Sequence, residues 1–320
     1  MPHPAADPTR RAFLEAGLKA AAVAALGAAP LEAADEIPII DTHQHLWDLT
    51  KFDLPWVQPG TKLARNFVAA DYAEATRGLG VVKAVYMEVD VASEQQVKEA
   101  RSIVEAIRSK RTPTVAAVIS GRPASKEFAA YLDGLADMPE IRGVRQVLHG
   151  GGTPAGFCLA PEFVAGIREL GKRGWMFDLC MRSSELLDGA KLIDACPETK
   201  FILDHCGNAS VRAKPAEREQ WKKDLAAVAK RDRVVCKVSG IVASAAGGEW
   251  SADDLAPIVN HVIECFGPDR VMFGGDWPVC TLAASFREWV EALRSIVKER
   301  PEADRRKLFH DNATRVYRLG

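Results

Sequence analysis

Two histidines stand two positions apart in the segment that runs from Asp41 to His45. In an extended strand such residues project to the same side, so the imidazoles of His43 and His45 can both reach one metal ion or one substrate oxygen. Much later in the chain, His205 and Asp276 could complete a ligand set for one divalent metal with an open position for water. Such a metal lowers the pKa of its bound water, and Asp276 could take the proton.

From Ile37 onward, short β-rich runs alternate with segments whose apolar residues recur three and four positions apart, which predicts strands alternating with helices. The predicted strands are Pro38–His43, Lys83–Val89, Thr114–Ser120, Gly143–Leu148, Trp175–Cys180, Lys200–His205, Val234–Val238 and Arg270–Gly274. This alternation predicts a single-domain α/β fold, a (β/α)8 TIM barrel over residues 35–320. An open doubly wound sheet is the alternative. It usually carries a glycine-rich turn after its first strand, where this chain has Asp-Thr-His-Gln-His.

The active sites of such barrels lie at the carboxyl ends of the strands. The predicted strands end in polar side chains, which are therefore expected to meet at one rim. These residues are His43, His45, Glu88, Arg145, Asp178, Arg182, His205, Lys237 and Asp276. Three loops should border the rim: the long loop that contains Trp56 and reaches Ala69, and the segments His149–Gly156 and Ala243–Gly248.

Several sequence blocks in the chain resemble those of one protein family, in the same order. They are Asp41-Thr-His-Gln-His-Leu-Trp-Asp48, Ile141-Arg-Gly-Val-Arg145, Leu203-Asp-His-Cys-Gly-Asn208, Lys237-Val-Ser-Gly240, Phe273-Gly-Gly-Asp-Trp-Pro-Val279 and Phe309-His-Asp-Asn-Ala-Thr-Arg-Val-Tyr317. This ordered set is similar to the amidohydrolase-2 group of the amidohydrolase superfamily. Within that group it resembles the lactonases that include L-fuconolactonase and L-rhamnono-lactonase.

The resemblance implies a hydrolase that opens a cyclic ester, a sugar-derived lactone, by attack of water. It implies that Asp276 is the general base, that Arg145 binds or polarises a substrate oxygen, and that His205 takes part in catalysis. The expected substrate-binding residues are Glu88, Asp178, Arg182, Trp47 and Trp277. Two of these have an open alternative, since Glu88 could be a metal ligand and Asp178 could only orient His205 or Arg145.

The resemblance also implies one divalent metal, zinc, held by His43, His45, His205 and Asp276. Binuclear members of the superfamily carry a bridging lysine at the end of the fourth strand. The corresponding segment here, Arg145–His149, has no lysine, so a second metal is not expected. Some lactonases of this group act without a metal, and metal-free catalysis therefore stays open.

Two other functions remain as alternatives. A metal-dependent decarboxylase of the same superfamily shares the barrel and the His/Asp ligand set. A barrel that binds a ligand without catalysis is the third hypothesis, which the intact set of His43, His45, His205 and Asp276 disfavours. The leading hypothesis expects a small-molecule partner, either a lactone or a sugar acid.

Composition excludes several classes of protein. The 320 residues include 42 basic and 43 acidic side chains, so the chain lacks the basic excess of a nucleic-acid-binding protein and no nucleic-acid partner is expected. No uninterrupted apolar stretch reaches the length of a membrane span. The seven cysteines lack Cys-x-x-Cys spacing, which favours free, mostly buried thiols. A homo-oligomer stays open.

Residues 1–34 form a separate segment. Arg10 and Arg11 precede an apolar stretch that runs to Ala29 and is interrupted by Lys19. This pattern resembles a twin-arginine export signal and predicts a periplasmic protein with no stable membrane insertion after signal removal. A disordered N-terminal segment on a cytoplasmic protein is the alternative.

Overall fold

The computed structural model describes residues 37–320, so the predicted export signal lies outside the described residues. Eight parallel strands follow one another around the sheet in sequence order. They are β1 (Ile39–Gln44), β2 (Val81–Met87), β3 (Thr114–Ser120), β4 (Ile141–Val147), β5 (Met176–Cys180), β6 (Lys200–Leu203), β7 (Val234–Val238) and β8 (Val271–Phe273). The predicted (β/α)8 barrel is confirmed, and no predicted strand boundary is wrong by more than two residues.

Helices alternate with the strands along the chain. They include α1 (Ala69–Ala75), α2 (Gln96–Arg108), α3 (Phe128–Asp133), α4 (Pro161–Lys172), α5 (Leu186–Ala195), α6 (Pro215–Ala229), α7 (Ala252–Phe266), α8 (Phe286–Val297), α9 (Glu302–Arg306) and α10 (Asn312–Tyr317). The sequence pattern predicts helices over Glu94–Lys110, Lys126–Leu135, Pro161–Lys172, Ser184–Ala195, Glu217–Lys230, Ala252–Phe266 and Leu282–Lys298. It does not predict α1, α9 and α10. Each has seven residues or fewer, too short to show a helical period over two full turns.

The barrel closes where β1 meets β8. The backbone N–H of His45 donates to the carbonyl of Trp277, and that of Asp276 donates to the carbonyl of His43, both at 2.8 Å. These bonds fix the backbone of the histidine pair against the backbone of Asp276. Closure of the barrel therefore brings three predicted site residues to one place.

A buried carboxylate strengthens this closure. Asp41 accepts hydrogen bonds from the backbone N–H of Gly275 at 2.7 Å, from that of His43 at 2.9 Å and from the hydroxyl of Tyr72 at 2.8 Å. Burial raises the pKa of Asp41, whereas these three donors stabilise its charged form. Asp41 thus links β1, the segment after β8 and helix α1.

Apolar side chains from seven of the eight strands, all except β4, belong to one cluster, so they fill the barrel interior. They are Ile40, Val85, Met87, Ala116, Val118, Met176, Ile202, Val235 and Met272. Tyr317 and Leu319 of the C-terminal segment join the same cluster. Arg142, near the beginning of β4, donates to the carbonyl of Tyr317 at 2.8 Å. The C-terminal segment therefore covers the amino end of the barrel, and the carboxyl end is left for a site.

Two further expectations concern the described residues. All seven cysteines are free thiols; six are buried and Cys265 is half-buried, as predicted. Between residues 37 and 320, none of the helices combines the length and the apolar character that crossing a bilayer requires.

Tyr72→Phe tests the closure of the barrel. The variant keeps the packed ring but removes the donor to Asp41, and we expect the free energy of unfolding to fall by about 1.5–3 kcal/mol in urea denaturation. Tyr131→Phe is the control, because its half-buried hydroxyl donates to an uncharged carbonyl, that of Ser120, and should lose about 0.5–1.5 kcal/mol. Equal losses in the two variants would contradict the role given to Asp41.

Candidate active site

Three of the four predicted metal ligands form one group at the carboxyl end of the barrel. His45 Nε2 lies 3.5 Å and His43 Nε2 lies 3.7 Å from Asp276 Oδ1. One ligand atom from each residue lies within 4.8 Å of the other two. His205 belongs to an overlapping group with His43 and Asp204. Among residues 37–320, the predicted four-ligand set is thus divided between two groups that share His43.

Hydrogen bonds and a glycine position two of the imidazole rings. His45 Nδ1 lies 3.0 Å from the carbonyl of Met87, so it carries the proton and leaves Nε2 as the ligand atom. His205 Nδ1 lies 2.9 Å from the hydroxyl oxygen of Ser239. Gly240 adopts a φ of +69°, and a Cβ there would lie 2.3 Å from His205 Nδ1. A glycine is therefore required for His205 to occupy this position.

The ring of His43 is surrounded by charged groups. Its Nδ1 lies 3.5 Å from Asp204 Oδ1 and 3.4 Å from Lys237 Nζ, while its Nε2 lies 3.3 Å from Arg145 Nη1. Burial lowers the pKa of His43 well below its ordinary value, although Asp204 acts in the opposite direction. His43 is therefore neutral at pH 7, which is the form that can bind a metal.

Lys237 is a fully buried cation on β7. Its Nζ lies 2.6 Å from Asp178 Oδ2 and 3.2 Å from Asp204 Oδ1. Burial alone would lower the pKa of Lys237, but the two carboxylates outweigh it and raise the pKa. Burial alone would likewise raise the pKa of Asp204, but Lys237 and His43 hold it well below its ordinary value. The lysine is therefore charged and is neutralised inside the protein.

Arg145 is fixed by Glu88. Its Nε donates to Glu88 Oε1 at 2.6 Å, and its Nη2 donates to the Glu88 carbonyl at 2.8 Å. The second carboxylate oxygen accepts from the hydroxyl of Ser120 at 2.7 Å and from the backbone N–H of Asp90 at 2.6 Å. Burial alone would lower the pKa of Arg145, but Glu88 outweighs it and raises the pKa. The guanidinium is thus charged and oriented before any substrate binds.

A cavity of about 460 Å³ opens beside these groups. The predicted catalytic residues Arg145, His205 and Asp276 line it, together with His45. Each of the three predicted rim loops also contributes to the wall, through Trp56, His149, Gly150, Ala243 and Ser244. Charged groups that can act on a substrate therefore meet solvent inside this cavity.

The five predicted substrate-binding residues do not line the cavity. Glu88 and Asp178 are fully buried, and each holds a cation instead, Arg145 and Lys237 respectively. Of the two alternatives kept open, the placement of Asp178 agrees with an orienting role. The carboxylate of Glu88 is engaged with Arg145, Ser120 and Asp90, and Glu88 does not belong to either group of candidate metal ligands among the described residues.

Trp47, Trp277 and Arg182 also have structural partners. Trp47 is 2% exposed and donates its indole N–H to a backbone carbonyl of the first loop at 2.8 Å. Trp277 is 3% exposed and packs edge-on against other aromatic rings. Arg182 donates to two carbonyls of the loop at residues 149–156, both at 2.8 Å. These side chains shape the rim without facing the cavity.

The sequence prediction lacks several residues of the cavity wall. They include Val89, Asp90, Val147, Asn208 and Val279. Each lies within three positions of a predicted site residue at the end of a strand, and this proximity is the signal that could have identified them. The apolar residues among them carry no group that suggests chemistry.

Residues 40–319 match the Amidohydro_2 family model, which describes amidohydrolases. The chain belongs to this amidohydrolase family. It is 28% identical to an L-fucono-1,5-lactonase of Burkholderia multivorans, covering 88% of this chain and 96% of the relative. It is 22% identical to an L-rhamnono-gamma-lactonase of Scheffersomyces stipitis, and this match covers 88% of this chain and 98% of the relative. A solved Burkholderia multivorans amidohydrolase with bound zinc shares the fold, with a TM-score of 0.78 at 24% identity over 88% of this chain and 100% of the other.

Removing the buried lysine of this amidohydrolase should destabilise the barrel. Lys237→Met leaves Asp178 buried without its counter-charge and leaves Arg145 Nη1, at 3.7 Å, as the cation beside Asp204. We expect the free energy of unfolding to fall by about 3–5 kcal/mol in urea denaturation. The double variant Lys237→Met/Asp178→Asn removes one charge of each sign and should recover part of the loss. Wild-type stability of Lys237→Met would show that the lysine is not needed as a counter-charge.

Proposed function

We propose that this amidohydrolase hydrolyses a lactone by attack of water on the ester carbonyl at the mouth of the barrel. The observation that carries the proposal is the convergence of Asp276, His45 and Arg145 on the wall of one cavity. A carboxylate that takes a proton and a guanidinium that binds the carbonyl oxygen are the groups that such a reaction needs. The lactonase names of relatives matched over nearly their whole length support the same reaction class.

Asp276 acts as the general base in this proposal. It is 4% exposed and lines the cavity, so a water molecule there can reach its carboxylate. The Nε2 atoms of His45 and His43 lie 3.5 and 3.7 Å from its Oδ1. The carboxylate can therefore accept the proton of the attacking water, while the backbone N–H of Asp276, which donates to the carbonyl of His43, fixes the residue in place.

Arg145 stabilises the charge that develops on the carbonyl oxygen. Glu88 holds its Nε and Nη2, which leaves Nη1 near His43 Nε2 at the edge of the cavity. A donor that is fixed before the reaction does not have to reorganise when the oxyanion forms. Glu88 is therefore a positioning residue that acts through Arg145.

The donor set of His43, His45 and Asp276 fits one divalent ion, and we propose zinc. The fit rests on a neutral imidazole at His43, on a free Nε2 at His45 and on three ligand atoms that lie within 4.8 Å of one another. A bound zinc ion would lower the pKa of water and polarise the ester carbonyl.

One observation favours the alternative, catalysis without a metal. Arg145 Nη1 lies 3.3 Å from His43 Nε2 and already supplies a positive charge at this position.

Asp276→Asn tests the assignment of the general base. The amide keeps the size of the side chain but cannot accept the proton, so kcat for lactone hydrolysis should fall about 10²–10⁴-fold. Acid release is followed at neutral pH, with the spontaneous opening of the lactone subtracted. The control Asp133→Asn changes an exposed ion pair with Arg173 and should leave kcat unchanged.

Unchanged kcat in Asp276→Asn would exclude this residue as the base. Release of carbon dioxide from an aromatic or enoic acid, without acid release from any lactone, would instead support the decarboxylase alternative.

Metal removal decides between the two forms of the mechanism. After purification, elemental analysis should find about one zinc per chain. Chelation should lower kcat at least about tenfold, and added zinc should restore it. His45→Ala should reduce the bound zinc, because it removes one ligand of the group. Full activity of a chelated, metal-free protein would support catalysis by Asp276 and Arg145 alone.

A further inference from the structure

Most of the surface of the cavity beside the catalytic groups is apolar, and several apolar side chains contribute to it. They are Trp56, Val89, Val147, Ala209, Ala243 and Val279. Trp56 donates its indole N–H to the carbonyl of Val89 at 2.7 Å and packs edge-on against Trp47, with ring centroids 5.6 Å apart. The ring is therefore a fixed part of the wall. Hydroxyl groups pressed against such a wall lose their water without gaining a partner.

Several polar side chains of the wall are already engaged. Asp90 Oδ1 accepts from Arg122 Nη2 at 2.8 Å. The hydroxyl of Ser244 donates to a backbone carbonyl at 2.6 Å and accepts from a backbone N–H at 3.1 Å. Ser210 Oγ accepts from the backbone N–H of Arg212 at 3.1 Å. Beyond the catalytic groups, the side chains of His149 and Asn208 therefore remain, and these two cannot pair with all the hydroxyls of a sugar ring.

We infer, on the basis of the proposed lactone hydrolysis, that the enzyme prefers lactones whose ring carries an alkyl or aryl substituent over polyhydroxylated sugar lactones. An apolar substituent gains by leaving water for the surface of Trp56 and Val147, whereas unpaired hydroxyls lose by it. A cavity of about 460 Å³ has room for a substituted ring. This substrate class differs from the ones that the relatives' names state.

A series of δ-lactones measures the preference. The ring size is kept the same as in L-fucono-1,5-lactone while an alkyl substituent on the ring is lengthened from one to five carbons. We expect kcat/KM to rise about fourfold for each added methylene until the cavity is filled, and to exceed that for L-fucono-1,5-lactone by at least about tenfold. An equal or higher kcat/KM for L-fucono-1,5-lactone would overturn the inference.

Val147→Thr changes the wall without changing its shape. The new hydroxyl should lower kcat/KM for the alkyl lactones about three- to tenfold, mainly through KM, and should not lower it for L-fucono-1,5-lactone. Val115→Thr is the matched control, a partly buried valine near the amino end of β3, and it should leave the substrate ratio unchanged. An equal loss for both substrates in Val147→Thr would contradict a role for this wall in the preference.

Binding of the reaction products separates this inference from the proposed function. Failure to hydrolyse any lactone would contradict the proposed function, but calorimetry with 5-hydroxydecanoate and L-fuconate still reports what the cavity accepts. Tighter binding of 5-hydroxydecanoate, weakened by Val147→Thr, supports an apolar cavity. Tighter binding of L-fuconate overturns the inference whether or not the protein is active.

Discussion

Five of the charged side chains that are buried at the mouth of the barrel pair with one another, and the rest of the structure depends on their pairing. Arg145 pairs with Glu88, and Lys237 pairs with Asp178 and Asp204, while none of the five is more than 5% exposed. A buried charge that loses its partner destabilises a protein by several kcal/mol. The strands that carry these residues must therefore meet in the register that gives each charge its partner. The arrangement of the catalytic groups follows from this requirement.

The same pairing prepares the site for its chemistry. Arg145 is oriented by Glu88 before a substrate arrives, and Asp276 is held beside the histidine pair by the closure between β1 and β8. Around these groups, most of the surface of the cavity wall is apolar. An apolar surface nearby strengthens the attraction between a fixed guanidinium and a developing oxyanion, because it lowers the local dielectric constant. In the proposed mechanism, the charged groups that line the cavity carry out catalysis, and the apolar side chains of its wall select the substrate.

The sequence predicts the strands and the rim well, because these depend on local patterns. The two-residue spacing of His43 and His45 and the position of strand ends in a parallel barrel are enough to bring these residues near Asp276. The pairing of Glu88 and Asp178 with buried cations is not local, since it depends on distances across the barrel that no spacing reveals. The aromatic side chain of Trp47 predicts contact with a substrate ring. Its burial, however, depends on how the long first loop folds, which no local pattern reveals.

The most direct test of the account is a crystal structure of the enzyme with a bound hydroxy-acid product, the opened form of a lactone. The account predicts that the carboxylate of the product lies in the cavity of about 460 Å³, within hydrogen-bonding distance of Arg145 and beside Asp276, with its apolar chain against Trp56 and Val147. A product bound in another cavity, or in this one with its carboxylate turned away from Arg145 and Asp276, would contradict the account.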